Sequence, residues 1–369
     1  MISNSKTSTI FTILCSLLVS VALTSVHAAS LRTAKRATTC NGSSQLCDRL
    51  YSNVTFAGAH NSYAIVHSGT TLASNQNASI TSQLNAGIRM LQSQAHKSSN
   101  SSVTGAGIDL CHTECSLFQG GTIEYWLSQV KSWVDANPTE VVTLLIVNSD
   151  TLPASQYAQA FQSTGLASKM YTPSSGVLTK QQWPTLGSMV DSGKTVVGFL
   201  TSGTDTSTVP YLLDEFSNIW ETPYDQTSVP FNCSIDRIGS NVKSTSQNLM
   251  YLSNQFRDLS LFGGDQITTP DVANIGSTNS EATTLSSSDT CASEHGSYPN
   301  FILTDYSTVP DYDFPRAVAQ MNGVSYTAPA QSSNSNGLSS GSSRTTSSFS
   351  SSIALSFIAL SSALVYFIL

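Results

Sequence analysis

The chain has 369 residues and a formal net charge of −7, and charged residues make up 11% of it, against about 25% in an average soluble domain. Such an acidic, charge-poor chain lacks the basic surface that a nucleic-acid partner requires, so we expect no nucleic acid. Ser, Thr and Asn replace the missing charges, which suits an extracellular protein kept soluble by glycans.

The N-terminus is typical of a secretory signal. Residues 1–29 hold one lysine, the apolar run IFTILCSLLVSVAL and the small-residue stretch SVHAAS, which predicts cleavage near Ala28 or Ala29. A membrane anchor is the weaker alternative because the apolar run is short. The dibasic pair Lys35-Arg36 is a second candidate processing site.

Removal of the signal also removes Cys15, so six cysteines remain. An even number in a secreted chain predicts disulfides, and six cysteines allow 15 pairings. Sequence spacing favours Cys40–Cys47 and Cys111–Cys115, with Cys233–Cys291 by elimination; a zinc site is disfavoured because no CxxC pair occurs. Glycosylation is predicted at five sequons: Asn41, Asn53, Asn77, Asn100 and Asn232.

Residues 40–325 read as one large domain without a linker-like break. The run VVTLLIV is apolar on both faces, as a strand buried in a parallel sheet must be. Strands that alternate with helical patterns predict a parallel sheet. At this length we expect a single-domain α/β fold, a distorted TIM (β/α)₈ barrel, with a doubly wound sheet as the second choice. Six strand-like runs occur: 53–60, 87–96, 141–149, 195–201, 248–256 and 300–306.

The clearest helical pattern is TIEYWLSQVKSWVDANP. Thr122 can cap its start, and Asn137-Pro138 ends it. Residues 265–299 are Ser/Thr-rich and weakly periodic, so we expect a long loop there, tied down by Cys291. The apolar positions of the helix follow the i, i+3, i+4, i+7 spacing: Ile123, Trp126, Leu127, Val130, Trp133 and Val134.

The C-terminus is typical of a GPI-attachment signal. A Ser-rich linker, 326–352, precedes an apolar tail, 353–369, with no charged flank after it. A single-pass tail anchor is the alternative. We therefore expect a secreted monomer at the cell surface, GPI-anchored to the plasma membrane or cell wall. Asn336, Ser340 and Gly341 all qualify as the attachment site.

Histidines end several of the extended runs. His60 ends the first predicted strand, His96 ends the second, and His112 lies in the short segment IDLCHTEC. A barrel closes its last strand against its first, which would bring Asp305, at the end of NFILTDY, beside His60. A carboxylate there fixes the tautomer of the imidazole and raises its basicity. His60 would then be a general base and His112 a general acid, which suits phosphodiester cleavage through an internal hydroxyl.

Rival chemistries lack their local signatures. No G-x-S-x-G elbow of a serine hydrolase occurs, and the strand ends carry His, Gln and Asn rather than the paired carboxylates of a glycosidase. No P-loop or G-x-G-x-x-G follows a strand. A glycosidase or other hydrolase therefore ranks behind the phosphodiesterase.

Five stretches carry a resemblance to a known family: FAGAHNSYA, GIRMLQSQ, LCHTEC, WVDANPTEVVTLLIV and NFILTDY. In this order the chain resembles the phosphatidylinositol-specific phospholipase C X-domain superfamily over about residues 45–320, and within it the secreted fungal PLC-like phosphodiesterases. The resemblance implies a distorted TIM barrel and a phosphodiester or phospholipid-headgroup substrate. It also implies that His60 takes the proton of the attacking hydroxyl, that His112 protonates the leaving oxygen, and that Asp305 holds His60.

The chain departs from the bacterial pattern of this superfamily at its strand ends. Asn61 stands where bacterial members carry Asp, and Gln94 where they carry a phosphate-contacting Arg. Metal-dependent members place carboxylates near here, whereas Gln92 is neutral, so we predict no metal and no cofactor. Asn61, Gln92 and Gln94 are the predicted substrate-binding residues, and Arg89 points away by strand parity. The alternative is a catalytically silent barrel that binds cell-wall or lipid-headgroup ligands.

Overall fold

The computed structural model describes residues 36–66, 72–100, 105–260 and 268–329. The secretory signal, His67, most of the Ser-rich linker and the apolar tail lie outside the described residues. The described residues belong to one unit, residues 1–329. Within them, no helix is both long and apolar enough to cross a bilayer.

Strands and helices alternate along the chain. Twelve strands occur within the described residues: β1 (Phe56–Ala59), β2 (Met90–Lys97), β3 (Ile108–Cys111), β4 (Gln119–Thr122), β5 (Val142–Asn148), β6 (Val196–Leu200), β7 (Leu212–Asp214), β8 (Ile219–Glu221), β9 (Met250–Asn254), β10 (Asp258–Ser260), β11 (Thr268–Pro270) and β12 (Phe301–Thr304). The α-helices there are α1 (Ile80–Asn85), α2 (Ile123–Ala136), α3 (Ala154–Ser163), α4 (Leu186–Ser192), α5 (Glu215–Asn218), α6 (Ile275–Thr278), α7 (Glu281–His295) and α8 (Asp313–Met321).

Eight parallel strands form the predicted barrel, in the order β7-β6-β5-β2-β1-β12-β9-β8. The last strand, β12, pairs with the first, β1, as barrel closure requires. The distortion lies between β7 and β8, which have no ladder between them in the described residues. Only the single turn α5 joins these two strands, and a parallel crossover needs a dozen or more residues.

Strand alternation divides the core into an inside and an outside. Inside the barrel, Phe56 of β1 and Phe301 of β12 stack with their ring centroids 5.6 Å apart. Outside, Ala57 and Ile302 belong to the cluster that packs under the helices. Gly58 lets β1 approach β12, because a Cβ there would lie 2.7 Å from Leu303 Cδ2. Residues that follow the strands in the same alternation as the inward-facing positions therefore lie together at the carboxyl end of the barrel.

The sequence-based elements are largely confirmed. All six predicted runs contain parallel barrel strands, and α2 begins after Thr122, whose hydroxyl accepts the Tyr125 N–H. The six predicted apolar positions of α2 are all buried. The three disulfides pair as the spacing favoured. The short strands β7 and β8 were not predicted.

The predicted loop over 265–299 is wrong for the described residues from 268 onward. They form β11, α6 and the 15-residue helix α7. The buried face of α7 follows helical spacing in small polar residues, which hydrophobic periodicity does not detect. Ser280 caps its start and Gly296 its end. The buried positions are Thr284, Ser287, Ser288 and Cys291.

Candidate active site

The closure of the barrel brings His60 and Asp305 together. His60 follows β1 and Asp305 follows β12, and the His60 N–H donates to the Thr304 carbonyl at 3.0 Å. The His60 Nδ1 lies 2.8 Å from Asp305 Oδ1, and the two side chains are 13% and 1% exposed. The Nδ1–H therefore donates to the carboxylate, which leaves Nε2 as the basic nitrogen.

Two asparagines complete the hydrogen-bond network around His60. Asn75 Nδ2 donates to Asp305 Oδ1 at 2.9 Å, and Asn61 Nδ2 donates to Asn75 Oδ1 at 3.2 Å. The Asn61 amide also lies 3.1 Å from His60 Nε2, the nitrogen that would receive a substrate proton. Asn61 Oδ1 is buried without a hydrogen-bond partner. A substrate hydroxyl must therefore displace the Asn61 amide before it reaches the base.

Phe256 covers one face of His60. The two rings are stacked, with centroids 4.0 Å apart and planes at 4°. Phe256 lies two residues beyond the end of β9 and keeps the inward parity of Leu252 and Asn254. The stacked ring limits rotation of the imidazole and excludes water from that face.

His112 reaches the site from outside the barrel strands. β2 continues past the ends of the neighbouring barrel strands, and β3 pairs with this extension in the antiparallel sense. β3 therefore runs back toward the barrel, and His112 follows its last residue. The His112 and His60 ring centroids lie 6.3 Å apart, with planes at 85°. His112 Nδ1 donates to the Ala73 carbonyl at 2.8 Å, which leaves Nε2 for the substrate. The two histidines are thus close enough to contact one phosphodiester group.

Burial lowers the pKa of His112, and a positive charge on His60 acts in the same direction. The Ala73 carbonyl and the charge of Asp305 oppose this effect without cancelling it. His112 is therefore protonated to a smaller extent at neutral pH than a free imidazole.

Gln92 and Gln94 hold the two histidine-bearing turns. Gln92 Oε1 accepts the Asn61 N–H at 2.6 Å, and Gln94 Oε1 accepts the Thr113 N–H at 2.8 Å. Both side chains project inward from β2, as its parity predicts. Direct contact of Gln92 and Gln94 with a substrate stays a prediction. It would use their amide nitrogens as hydrogen-bond donors, because the contacts above use only their Oε1 atoms.

One buried carboxyl group near His60, that of Asp258, was not predicted from the sequence. Asp258 lies two residues after Phe256, so it has the same inward parity as Phe256 and the inward residues of β9. Its side chain is buried, with 6% exposed. Burial and the charges of Asp305 and Asp225 raise the pKa of Asp258 to about 7, whereas His60 acts the other way. Its parity with Phe256 was the signal that could have found it.

Three arginines already have carboxylate partners, and one of them, Arg89, precedes β2 at the end of the barrel opposite His60. Arg89 donates to Glu140 Oε2 from Nε and Nη2, at 2.9 and 2.7 Å, which agrees with its predicted orientation away from Gln94. Arg237 is paired with Glu221, and Arg257 with Asp271. In the described part of the chain, no cluster of three His, Cys, Asp or Glu side chains is arranged to hold a metal ion.

The other two histidines among the described residues lie elsewhere. His96 Nδ1 faces Asp150 Oδ1 at 3.6 Å, on the extension of β2. His295, at the end of α7, places Nε2 2.7 Å from the Cys233 carbonyl. The predicted catalytic set of His60, His112 and Asp305 is therefore brought together, and His96 makes contacts of its own.

Comparisons by sequence identify one family. The family model described as PI-PLC X 1 matches residues 46–321. Two relatives come from Arthroderma benhamiae. PI-PLC X domain-containing protein 1 is 38% identical over 290 residues, or 77% of this chain and 90% of its own. An uncharacterized secreted protein is 35% identical over 293 residues, or 78% of this chain, and the alignment spans only 64% of that longer relative.

Comparisons by structure agree on the fold. A double mutant of the phosphatidylinositol-specific phospholipase C from Staphylococcus aureus superposes with a TM-score of 0.51 at 15% identity, over 77% of this chain and 96% of that one. A second structure of that enzyme, concerned with its membrane binding, gives a TM-score of 0.50 at 14% identity, over 74% and 94%. At this identity the likeness shows the TIM-like barrel alone.

Proposed function

The chain belongs to the PI-PLC X-domain family, and from this premise we propose that it is an extracellular phosphoric diester hydrolase. His60 is the general base, His112 the general acid, and Asp305 the residue that orients His60. The observation that carries the proposal is the 2.8 Å contact between His60 Nδ1 and Asp305 Oδ1, with the His112 ring 6.3 Å away.

The proposed reaction uses Nε2 of each histidine, because Nδ1 of each is hydrogen-bonded to Asp305 or to the Ala73 carbonyl. A substrate hydroxyl next to the phosphodiester gives its proton to His60 Nε2, and its oxygen attacks phosphorus. The bond from phosphorus to the leaving oxygen breaks, and that oxygen takes the proton from His112 Nε2. The products are a cyclic phosphate and a free alcohol. No metal is assigned to any step, because Asn61, Gln92 and Gln94 supply no charge for one.

Apolar side chains beside the mouth support a lipid substrate. Leu72 and Leu117 are 67% and 61% exposed, and Leu259 and Val272 are 45% and 44% exposed. Leu72 directly precedes Ala73, which holds His112, and its carbonyl accepts the Thr269 hydroxyl, so two of these loops touch. Exposed apolar patches of this kind mark binding to membranes or partners.

Phosphatidylinositol is the substrate class that we propose first. The names of the solved neighbours contain it, and its inositol ring supplies the hydroxyl that the mechanism needs. Secretion is supported by the secreted relative. Attachment through a GPI anchor, and action as a monomer, remain part of the proposal.

A catalytically silent barrel is the second candidate, and two observations favour it. The Asn61 amide donates to His60 Nε2, so the basic nitrogen already has a partner. The arginines described above are also occupied, so a phosphate would meet no free cation among them. A silent barrel would bind headgroups without turnover.

Turnover of phosphodiesters separates the two candidates. Secreted protein is assayed on phosphatidylinositol, lysophosphatidylinositol and glycerophosphoinositol, with calcium and with chelator. We expect chelator-insensitive turnover that falls about 10²–10⁴-fold in His60→Ala and in His112→Ala. The matched control is His96→Ala, which removes a strand-end histidine paired with Asp150 and should keep wild-type turnover. Headgroup binding without turnover by any form would favour the silent barrel instead.

A further inference from the structure

The turn that carries His112 is closed on itself by a disulfide. Cys111 ends β3, and Cys115 follows His112 by three residues, so the bridge Cys111–Cys115 spans a separation of only four. The other two bridges span separations of 7 and 58. Because the entropy that a disulfide removes from the unfolded chain grows with loop length, this bridge contributes least to global stability. We therefore look for the effect of this bridge on the turn that it closes rather than on the stability of the whole domain.

The backbone inside this turn is strained. Thr113, the residue after His112, has φ of 60°, a left-handed conformation that β-branched residues rarely adopt. Such conformations persist only where the surroundings over-determine them, and they concentrate at functional sites. The closed five-residue ring is one such constraint, and the contact from Thr113 N–H to Gln94 Oε1 is another.

Backbone hydrogen bonds also hold this turn, since the His112 carbonyl accepts the Glu114 N–H at 2.6 Å. The disulfide adds a covalent closure to them. The His112 N–H donates to the Phe118 carbonyl at 3.2 Å, and its Nδ1–H donates to Ala73 at 2.8 Å. Ala73 itself lies on a loop, not on a barrel strand.

His60 follows the barrel strand β1 and His112 follows β3, and in each case the N–H of the next residue, Asn61 or Thr113, donates to a glutamine of β2. The turn of His112 carries a disulfide in addition to these contacts, whereas the turn of His60 does not.

We propose that the Cys111–Cys115 disulfide is a positioning device for the general acid, which holds His112 Nε2 toward the leaving group opposite His60. The inference rests on the proposed function and deepens it. Displacement of a catalytic group by about 1 Å can reduce the rate about 10²-fold. Loss of the bridge should therefore affect the proton donation to the leaving oxygen and leave the base step at His60 intact.

Leaving-group dependence gives a readout that a structural role would not move. An inositol phosphodiester with an alkyl leaving group needs the proton from His112, whereas one with a p-nitrophenyl leaving group departs without it. We expect Cys111→Ser/Cys115→Ser to lower turnover of the alkyl substrate about 10²-fold and of the p-nitrophenyl substrate by less than about threefold. The matched control, Cys40→Ser/Cys47→Ser, removes another short bridge beside the start of β5 and should affect both substrates equally or not at all.

The variants separate failure of the inference from failure of the proposed function. If His112→Ala shows the leaving-group dependence and the Cys111/Cys115 variant matches wild type on both substrates, the positioning role is wrong and the acid assignment stands. If His112→Ala shows no such dependence, the acid assignment itself fails. Equal loss on both substrates by a folded Cys111/Cys115 variant also contradicts the positioning role.

A second measurement needs no turnover. The pH titration of the His112 ring is followed by NMR in wild type and in the Cys111/Cys115 variant. Release of the turn should move its pKa back toward the ordinary value of 6.5, because burial is what lowers it. An unchanged titration overturns the proposal. If the double variant does not fold, folded wild type is treated with a reductant until mass spectrometry shows Cys111 and Cys115 as free thiols, and it must give the same leaving-group dependence.

Discussion

Three residues define the proposed chemistry, and Asp305 is the one that a substrate would not touch. It is 1% exposed and holds His60 by one carboxylate oxygen that also accepts from Asn75. A residue of this kind fixes the tautomer of the base, so its effect belongs to the chemical step. The sequence placed Asp305 beside His60 because barrel closure follows from chain order alone.

Asp305→Asn should lower kcat about 10²–10⁴-fold with little change in KM. The amide keeps the size of the side chain, but it no longer fixes the proton on His60 Nδ1. Steady-state kinetics on a soluble inositol phosphodiester measures both constants. A rise in KM with unchanged kcat would show that Asp305 acts in binding and not through His60.

The lowered pKa of His112 predicts an acidic pH optimum. The active form carries a proton on His112, and this proton is lost as the pH rises through a pKa below 6.5. With an alkyl leaving group, kcat/KM should therefore fall as the pH rises through this lowered pKa of His112. A pH profile measures it, and His112→Ala should lack this basic limb. An optimum above pH 7.5 would contradict the assignment.

Asp258 should oppose stability at alkaline pH. Its pKa is about 7 in the folded protein against an ordinary value of 3.8, so folding becomes less favourable as the pH rises from about 4 to 7. Asp258→Asn should raise the free energy of unfolding by about 2–4 kcal/mol at pH 8 and by less at pH 5. Denaturant unfolding at both pH values measures this. An equal gain at both would show that charge is not the cause.

Asn75, Phe256 and Asp258 were missed by the sequence analysis for a physical reason. Asn75 lies on a loop whose course toward Asp305 no periodicity encodes. Phe256 and Asp258 follow β9 in the inward parity, but they lie past its last ladder residue. Predicting them requires knowing that the chain continues extended after the strand ends.

At the scale of elements, long apolar strands were predictable and short ones were not. β5 is buried along nearly all of its seven residues and reads as a continuous apolar run. β7 and β8 have three residues each, so no period can be counted in them. Helix α7 was missed because Ser and Thr form its buried face, whereas α2 was found from its aromatic and aliphatic face.

The exposed leucines on the loops at the carboxyl end of the barrel are predicted to contact the lipid surface. Leu72→Ser and Leu117→Ser should each lower turnover on phosphatidylinositol vesicles about tenfold, because a buried leucine contributes about 1.5–3 kcal/mol. Turnover of a soluble headgroup substrate should not change. Tyr125→Ser, on the exposed side of α2 at 64% exposure, is the matched control and should affect neither assay. Equal losses on both substrates would remove the support for a lipid interface.

The molecule as a whole combines a family barrel with three neutral amide side chains among the predicted site residues. The pairing of β12 with β1 and the three disulfides could be predicted from the chain, and the structure bears them out. The amides of Asn61, Gln92 and Gln94 replace charged groups at the carboxyl end of the barrel. In the structure they hold backbone and imidazole rather than ions.

The central claim is that an internal hydroxyl, activated by His60, attacks the phosphodiester. Following the reaction on short-chain phosphatidylinositol by phosphorus NMR tests it most directly, because a five-membered cyclic phosphate has a distinct resonance. The account predicts that wild type releases the cyclic phosphate as its first product, with chelator present, and that His60→Ala does not. A linear phosphate monoester as the first product, or the same cyclic product at the same rate from His60→Ala, would contradict it.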